Sequence, residues 1–400
     1  MLTEKDIQRF RKETPGTDKV IHFNNAGSSL PPQAVRHAVI DYLEEEMTYG
    51  GYETHEKYAE QISGAYTSIA KLINASAEEI ALVENATAAW HAAFQAIDWK
   101  DGDVIIATQA DYASNYLSYL HLQRKVAIEI KVIPNKASGE LDLAALENMM
   151  NTSVKLVSIT HMPTNGGLTV DAEGVGEITR KHGILYLLDA CQSVGQYPLD
   201  VEKIGCDMLS ATGRKYMRGP RGTGFLYVRK SVLPKLTPAV IDLHSAEWTG
   251  KATYSIRKDA KKFENWEGNR ANTLGLKAAA DYILEVGIEN IWERVQHLSS
   301  VLRKQISQVK GITVHDIGEV KSGIVSFTVE GKSAAEVKTY LHRQGINISW
   351  MGIPNSYLDM TARQLKEIVR ASVHYYNTEE EIEVFTATLE EMIGYEPSKS

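Results

Sequence analysis

The chain has 400 residues, 43% of them hydrophobic and 24% charged, and a formal net charge of −8. That balance excludes disordered, collagen-like and coiled-coil chains, disfavours a nucleic-acid partner, and leaves room for a large buried core. The two cysteines, Cys191 and Cys206, are fifteen positions apart with no clustered histidines. This pattern fits a reducing compartment and argues against a structural zinc or other metal site.

The N-terminal stretch MLTEKDIQRFRKE mixes acidic and basic residues without an apolar centre, so residues 1–20 read as a helical segment rather than a signal or transit peptide. No apolar run approaches the roughly 20 residues that span a bilayer. The expectation is a cytoplasmic enzyme with no membrane partner. The segment 47–58, MTYGGYETHEKY, is aromatic with a glycine pair and reads as an active-site loop or an interdomain turn. A short strand over 78–85 runs into a helix over 86–97. β-rich runs follow at 103–109, 127–134 and 154–161, with helical patterns at 141–150 and 171–183. Residues 183–190, GILYLLDA, are nearly all apolar, as in a strand buried on both faces. Strands at 206–212 and 223–230 complete the set. Alternating β and α with apolar strands predicts a mostly parallel sheet with helices on both faces over 21–265. Beyond the polar stretch near 255–272, helices at 272–288, 290–309, 333–344, 361–369 and 378–394 mix with β-runs at 312–317, 323–330 and 346–350. They predict a smaller α+β domain over 266–400. No internal repeat is present.

Three places along this chain could carry chemistry. Asp189 stands at the carboxyl end of the 183–190 strand, the edge where open α/β sheets bind ligands. A buried acid there needs a partner, and a protonated heteroaromatic nitrogen is one; a solvated capping role is the plain alternative. Lys215, in ATGRKYMRGPRGTG, follows a strand and sits among Arg214, Arg218 and Arg221. Burial and cationic neighbours would depress its pKa and let it attack a carbonyl, although basic glycine-rich turns are common. In VENATAAW a strand ends and Ala86, Thr87 and Ala88 open a helix whose first N–H groups attract phosphate, unless they merely cap a packed helix. Neither a P-loop nor a GxGxxG dinucleotide fingerprint is present. Phosphate, ring nitrogen and aldehyde are what pyridoxal 5'-phosphate asks of a protein.

Taken together, these motifs resemble the class V aminotransferase group of fold-type I pyridoxal-phosphate enzymes. The likeness runs from HFNNAGSSLPP (22–32) to RASVHYYNTEEEI (370–382) and is closest to the branch of cysteine desulfurases, isopenicillin-N-epimerase-like proteins and C–S lyases. The resemblance implies Lys215 as the Schiff-base lysine and Asp189 as the pyridine-nitrogen partner. Gln192 would meet the cofactor's phenolic oxygen, with Thr164 near it. Thr87, Thr212 and Arg214 would hold phosphate, with Ala86 and Ala88 beside them. Tyr112 would lie on the ring, where many relatives have a histidine, and Arg370 would clamp the substrate carboxylate. Asn25 and Tyr52 are further substrate-site candidates, and Tyr49, His55, Trp248, Trp350 and Met351 could line the pocket. The resemblance also implies a homodimer with active sites at its interface, in which Arg270, in EGNRAN, would reach the partner's phosphate.

One departure bears on the reaction. Desulfurases carry a nucleophilic cysteine on a loop before the arginine motif, and the matching stretch here, NISWMGIPNSYLDM (347–360), has none. Cys191, next to the Asp189 strand end, reads as packing. The family implies an enzyme that deprotonates an amino acid at Cα. Aminotransferase is the first expectation, with Cβ–S lyase or epimerase as alternatives and a non-catalytic cofactor-binding scaffold as the remaining one.

Overall fold

In the computed structural model, which describes residues 2–394, the N-terminal segment forms a helix (Glu4–Lys12) and a 3-10 turn (Pro15–Asp18). Residue 1 and residues 395–400, the outer ends of the expected 1–20 and 266–400 segments, lie outside the described residues. The first strand, β1 (Ile21–His22), pairs in parallel with a late one, Ile346–Asn347. Three helices then follow, Gln33–Tyr49, Gly51–Lys57 and Ala59–Leu72. The 47–58 stretch is therefore neither loop nor interdomain turn. It is helical on both sides of Gly50, whose φ of 100° turns the chain between two helices.

Seven strands form the large sheet: β2 (Ile80–Val83), β3 (Val104–Ala107), β4 (Glu129–Val132), β5 (Val154–Thr160), β6 (Leu185–Asp189), β7 (Met208–Thr212) and β8 (Gly224–Val228). Their order is β2-β8-β7-β6-β5-β3-β4. All neighbours are parallel except β8, which runs antiparallel to both β7 and β2. The two-residue side-chain period splits the apolar strands between two cores. Val104, Ile106, Val157, Ile159 and Leu188 pack on one face with Tyr66, Ile69, Val175 and Ile283 from the helices there. Ile105, Ala107, Leu156, Leu187 and Met208 pack on the other with Trp90, Phe94 and Tyr119. This is the expected fold: a mostly parallel sheet covered by helices on both faces. A hairpin, β9 (Ala246–Gly250) and β10 (Thr253–Ile256), leads to the long helices Arg270–Val286 and Ile288–Gln308.

The last part of the chain builds a four-stranded antiparallel sheet, β11-β12-β15-β14, from β11 (Ile312–Val314), β12 (Ile324–Val329), β14 (Ser349–Gly352) and β15 (Glu367–Ser372). The late partner of β1, Ile346–Asn347, is β13. The helix expected over 361–369 is not there. A short helix, Tyr357–Ala362, stops where Gln364 takes a left-handed φ of 55°, and the chain re-emerges as β15 between β12 and β14. No helix among the described residues is long and apolar enough to cross a membrane.

Close backbone approach sets the floor of the sheet's carboxyl edge. A Cβ at Gly224 would lie 2.6 Å from the Ala211 carbonyl oxygen and 2.7 Å from the Asn85 carbonyl carbon. Gly224→Ala is expected to cost roughly 1–3 kcal/mol, the usual penalty of forcing atoms into a packed site. Urea unfolding of the purified variant checks this; a midpoint equal to wild type would show that the backbone there yields freely.

Candidate active site

At the carboxyl edge of β5, β6 and β7 the strand ends and following loops enclose a cavity of about 390 Å³. The sequence-predicted residues Ala86, Thr87, Tyr112, Thr164, Asp189, Gln192, Thr212, Arg214 and Lys215 line it. They come from the starts of the Ala86–Gln95 and Ala113–Gln123 helices, from the ends of β6 and β7, and from the loops that follow β5, β6 and β7.

Asp189 closes β6. Its Oδ1 accepts the Cys191 N–H (3.0 Å) and its Oδ2 accepts Asn115 Nδ2 (2.8 Å). Burial pushes its carboxyl above the usual carboxylate range, and these hydrogen bonds only partly oppose that. A buried carboxylate held by neutral donors is well placed to receive a cation. Lys215 is buried after β7, and burial pulls its ammonium below its ordinary value, with Arg214 and Arg370 acting the same way. The neutral amine, the nucleophilic form, is thus easier to reach than in an exposed lysine, with Cys191 and Asp189 opposing the shift.

At the helix start, Asn85 is the N-cap and its Oδ1 accepts the Ala88 N–H (2.9 Å). Ala88 is therefore already bonded and lies against a separate cleft with His91 and Phe263, so the structure does not bring it to this cavity. Ala86 and Thr87 do line the cavity, with Thr212 and Arg214 opposite. Thr212 donates its hydroxyl to the Thr223 carbonyl, and an Arg214 guanidinium nitrogen donates to the Gly27 carbonyl.

Arg370 lies on β15, and its guanidinium reaches the cavity wall through Thr164. Nη1 donates to the Thr164 carbonyl (3.0 Å) and Oγ1 (2.6 Å), and Nη2 reaches Asn24 Oδ1 at 3.5 Å. Its Nε has no partner. Burial lowers its pKa to about 10, which leaves it charged at neutral pH. Thr164 Oγ1 also receives Gln192 Nε2 (3.3 Å), while Gln192 Oε1 is buried without a partner. Met351 packs its sulfur 3.6 Å from Arg370 Nη1.

Other expected residues stand elsewhere in this chain. Asn25 is fully buried and committed to structure: its Nδ2 donates to the His22 and Ser372 carbonyls and to Asn377 Oδ1, and its Oδ1 accepts the Tyr376 hydroxyl (2.5 Å). Its neighbour Asn24 is the one facing Arg370. Tyr52 is 75% exposed on the Gly51–Lys57 helix and does not line the cavity. Tyr49 and Trp248 are likewise exposed. Arg270 donates to the Trp266 carbonyl (3.1 Å) and lines a small neighbouring cleft with Gly222, Thr223 and Glu267.

Sequence reasoning missed Asn115, Thr160 and Met162, which also line the cavity. Asn115 follows Tyr112 by three residues in a helical run, and that spacing places both on one face. Nothing in the sequence marks Thr160 or Met162.

With this geometry in hand, comparison with known proteins is informative. The family model described as Aminotransferase class-V matches residues 21–385. A protein named probable cysteine desulfurase from Methanothermobacter thermautotrophicus is 28% identical over 96% of this chain and 97% of its own length. A cysteine desulfurase from Yersinia pestis is also 28% identical, over 96% of this chain and 97% of its own length. Among solved structures, an apo cysteine desulfurase from Thermococcus onnurineus NA1 has a TM-score of 0.91 at 26% identity, covering 98% of this chain and 99% of its own. The cystine C–S lyase C-DES, in complex with cysteine persulfide, shares the fold with a TM-score of 0.85 at 22% identity, over 94% and 99% of the two chains.

Proposed function

The chain belongs to the aminotransferase class-V family, and on that premise we propose that it cleaves the Cβ–S bond of a sulfur-containing amino acid. The family works with pyridoxal 5'-phosphate, and the residues present fit that group. Asp189 is a buried carboxylate suited to a ring N–H⁺, Gln192 Oε1 is an unpartnered polar atom on the cavity wall, and Ala86, Thr87, Thr212 and Arg214 form an anion-favouring corner. Thr87, Thr212 and Arg214 would hold the phosphate, Asp189 the ring nitrogen, Thr164 and Gln192 the phenolic oxygen, and Lys215 the aldehyde carbon.

Once bound, the cofactor supplies an electron sink for the pair left at substrate Cα when its proton departs. The chain's own residues do the rest. Arg370 binds the α-carboxylate and fixes which Cα bond is presented. Lys215 Nζ, with its neutral form favoured by burial, takes the Cα proton. Asp189 keeps its negative charge against the ring nitrogen, and Asn115 holds that carboxylate in orientation.

Aminotransferase, the first expectation from sequence, shares these steps, but relatives named cysteine desulfurase favour bond cleavage at sulfur. The single observation that carries the reading concerns thiols. Cys206 is buried and does not line the cavity; Cys191 does line it, with its pKa pushed up to about 11, chiefly by desolvation and against the pull of Lys215 and Arg214. The 347–360 stretch, folded as β14 and a short helix, carries no cysteine. Sulfur therefore leaves in a product rather than on an enzyme thiol. With cystine the balance is cystine plus water giving cysteine persulfide, pyruvate and ammonia.

Incubation of the holoenzyme with a panel of sulfur amino acids, without an amino acceptor, is expected to yield pyruvate and a sulfur product in equal amounts. Cys191→Ser is expected to keep that turnover within about twofold, since a cavity-wall thiol that is not the nucleophile is replaced by a hydroxyl of similar size. Alanine production that depends on Cys191, or turnover that depends on a 2-oxo acid, would contradict the reading. The proposal includes a second copy of the chain as partner, as the family resemblance implies; Tyr52 and Arg270 do not line the cavity of their own chain.

A further inference from the structure

Behind the cavity wall stands a second buried carboxyl that the reaction above does not use. Asp111, between β3 and the Ala113–Gln123 helix, is 4% exposed. Its Oδ1 accepts the hydroxyls of Thr108 (2.8 Å) and Thr160 (3.3 Å), and its Oδ2 accepts that of Tyr119 (3.3 Å). The groups facing it are these hydroxyls, the Tyr116 phenol on the same helix, and Asp189 on β6. Burial, with the Asp189 charge adding to it, pushes its pKa up to about 7.

The hydroxyl of Thr160 is shared. It donates to Asp111 and accepts the backbone N–H of Tyr112 (3.1 Å). Thr160 also stands in register with Asp189 across β5 and β6. Three residues beyond Tyr112, Asn115 holds the Asp189 carboxylate. The first turn of this helix is thus pinned twice to the strand ends, once by Asp111 through Thr160 and once by Asn115 to Asp189.

We propose that Asp111 is a positioning residue that acts through Thr160 on the first turn of the Ala113–Gln123 helix, setting Tyr112 and Asn115 and with them the ring end of the cofactor site. The inference rests on the pyridoxal-phosphate reading above.

The test measures cofactor affinity of apo-protein by fluorescence titration with pyridoxal 5'-phosphate, for wild type and the variants Asp111→Ala, Asp111→Asn, Thr160→Val and the Asp111→Ala/Thr160→Val pair. Asp111→Ala and Thr160→Val are each expected to weaken binding about tenfold, the range for stranding a buried hydrogen-bonding group. The pair is expected to lose no more than either alone, because both act through one hydroxyl. Asp111→Asn keeps an acceptor for Thr108 and Thr160 and is expected to restore affinity to within about threefold.

A second readout does not involve the cofactor. A carboxyl whose folded pKa lies above its unfolded value binds its proton more tightly when folded. The contribution of Asp111 to apo-protein stability therefore falls as pH rises from about 4 to about 7, a slope that the lowered pKa values of His22, His161, His315 and His374 oppose. Asp111→Asn is expected to remove that contribution, so that the variant's stability relative to wild type rises with pH over this range. If Asp111→Ala does not fold, Asp111→Asn and Thr160→Val decide the matter. Cofactor affinity within twofold of wild type in Thr160→Val, losses that multiply in the pair, or an unchanged pH slope in Asp111→Asn would overturn the proposal. A wild-type protein that does not bind pyridoxal 5'-phosphate would instead overturn the reading on which it rests.

Discussion

Lys215→Ala is expected to lower turnover by roughly 10³-fold or more, the scale for removing a group that both bonds the reacting centre and moves its proton. The variant should still take up pyridoxal 5'-phosphate, because the phosphate corner at Ala86, Thr87, Thr212 and Arg214 and the carboxylate of Asp189 do not depend on the lysine side chain. It should hold the cofactor without a covalent link, so its visible absorbance should match that of non-covalently bound aldehyde. The lysine is suited to this work by its place. It follows β7 into the cavity, buried, with Arg214 adjacent in sequence and Arg370 close enough to oppose its charge. A second lysine near the site could rescue a fraction of the activity, but no other lysine among the described residues lines the cavity. Wild-type-like absorbance and turnover in Lys215→Ala would assign the role to another residue.

Arg370→Ala is expected to raise KM for amino-acid substrates by about 100-fold, near 3 kcal/mol, with a smaller change in kcat. Arg370 is a buried cation whose partners are neutral: a carbonyl and hydroxyl of Thr164, the amide oxygen of Asn24, and the sulfur of Met351. Among the described residues no carboxylate pairs with it. Its unpartnered Nε and its depressed but still basic pKa mark a charge that gains most when an anion arrives. Truncating it should therefore cost binding energy for a carboxylate ligand more than folding energy. Arg370→Lys should recover part of the loss, since a point charge remains but the two-pronged geometry is gone. Steady-state kinetics with an amino acid and with the matching amine, which lacks the carboxylate, separate the two effects. An equal KM change for both substrates would show that Arg370 does not hold the carboxylate.

Much of the fold was legible because the central strands are apolar on both sides. Val104–Ala107, Leu185–Asp189 and Gly224–Val228 are buried almost throughout and alternate with amphipathic helices, a pattern that only a covered sheet satisfies. The 361–369 stretch was misread because its charged residues follow a helical spacing, whereas the break comes from one backbone angle at Gln364 and from two neighbouring strands far away in sequence.

The site was legible to the same degree. Lys215, Asp189 and Thr87 lie next to strand ends or helix starts, so their neighbours in sequence reveal their setting. Asn25 did not, because its hydrogen bonds go to Ser372, Asn377 and Tyr376, which only the folded chain brings near. Asp111 was invisible for a related reason: its hydrogen-bond partner Thr160 stands forty-nine positions away.

The most direct test is borohydride reduction of the protein loaded with pyridoxal 5'-phosphate, followed by peptide mass spectrometry. One reduced cofactor per chain, carried on Lys215 and removed by excess amino-acid substrate before reduction, is the predicted result. A cofactor fixed to a different lysine, or no fixed cofactor on a folded and saturated protein, would contradict the assignment.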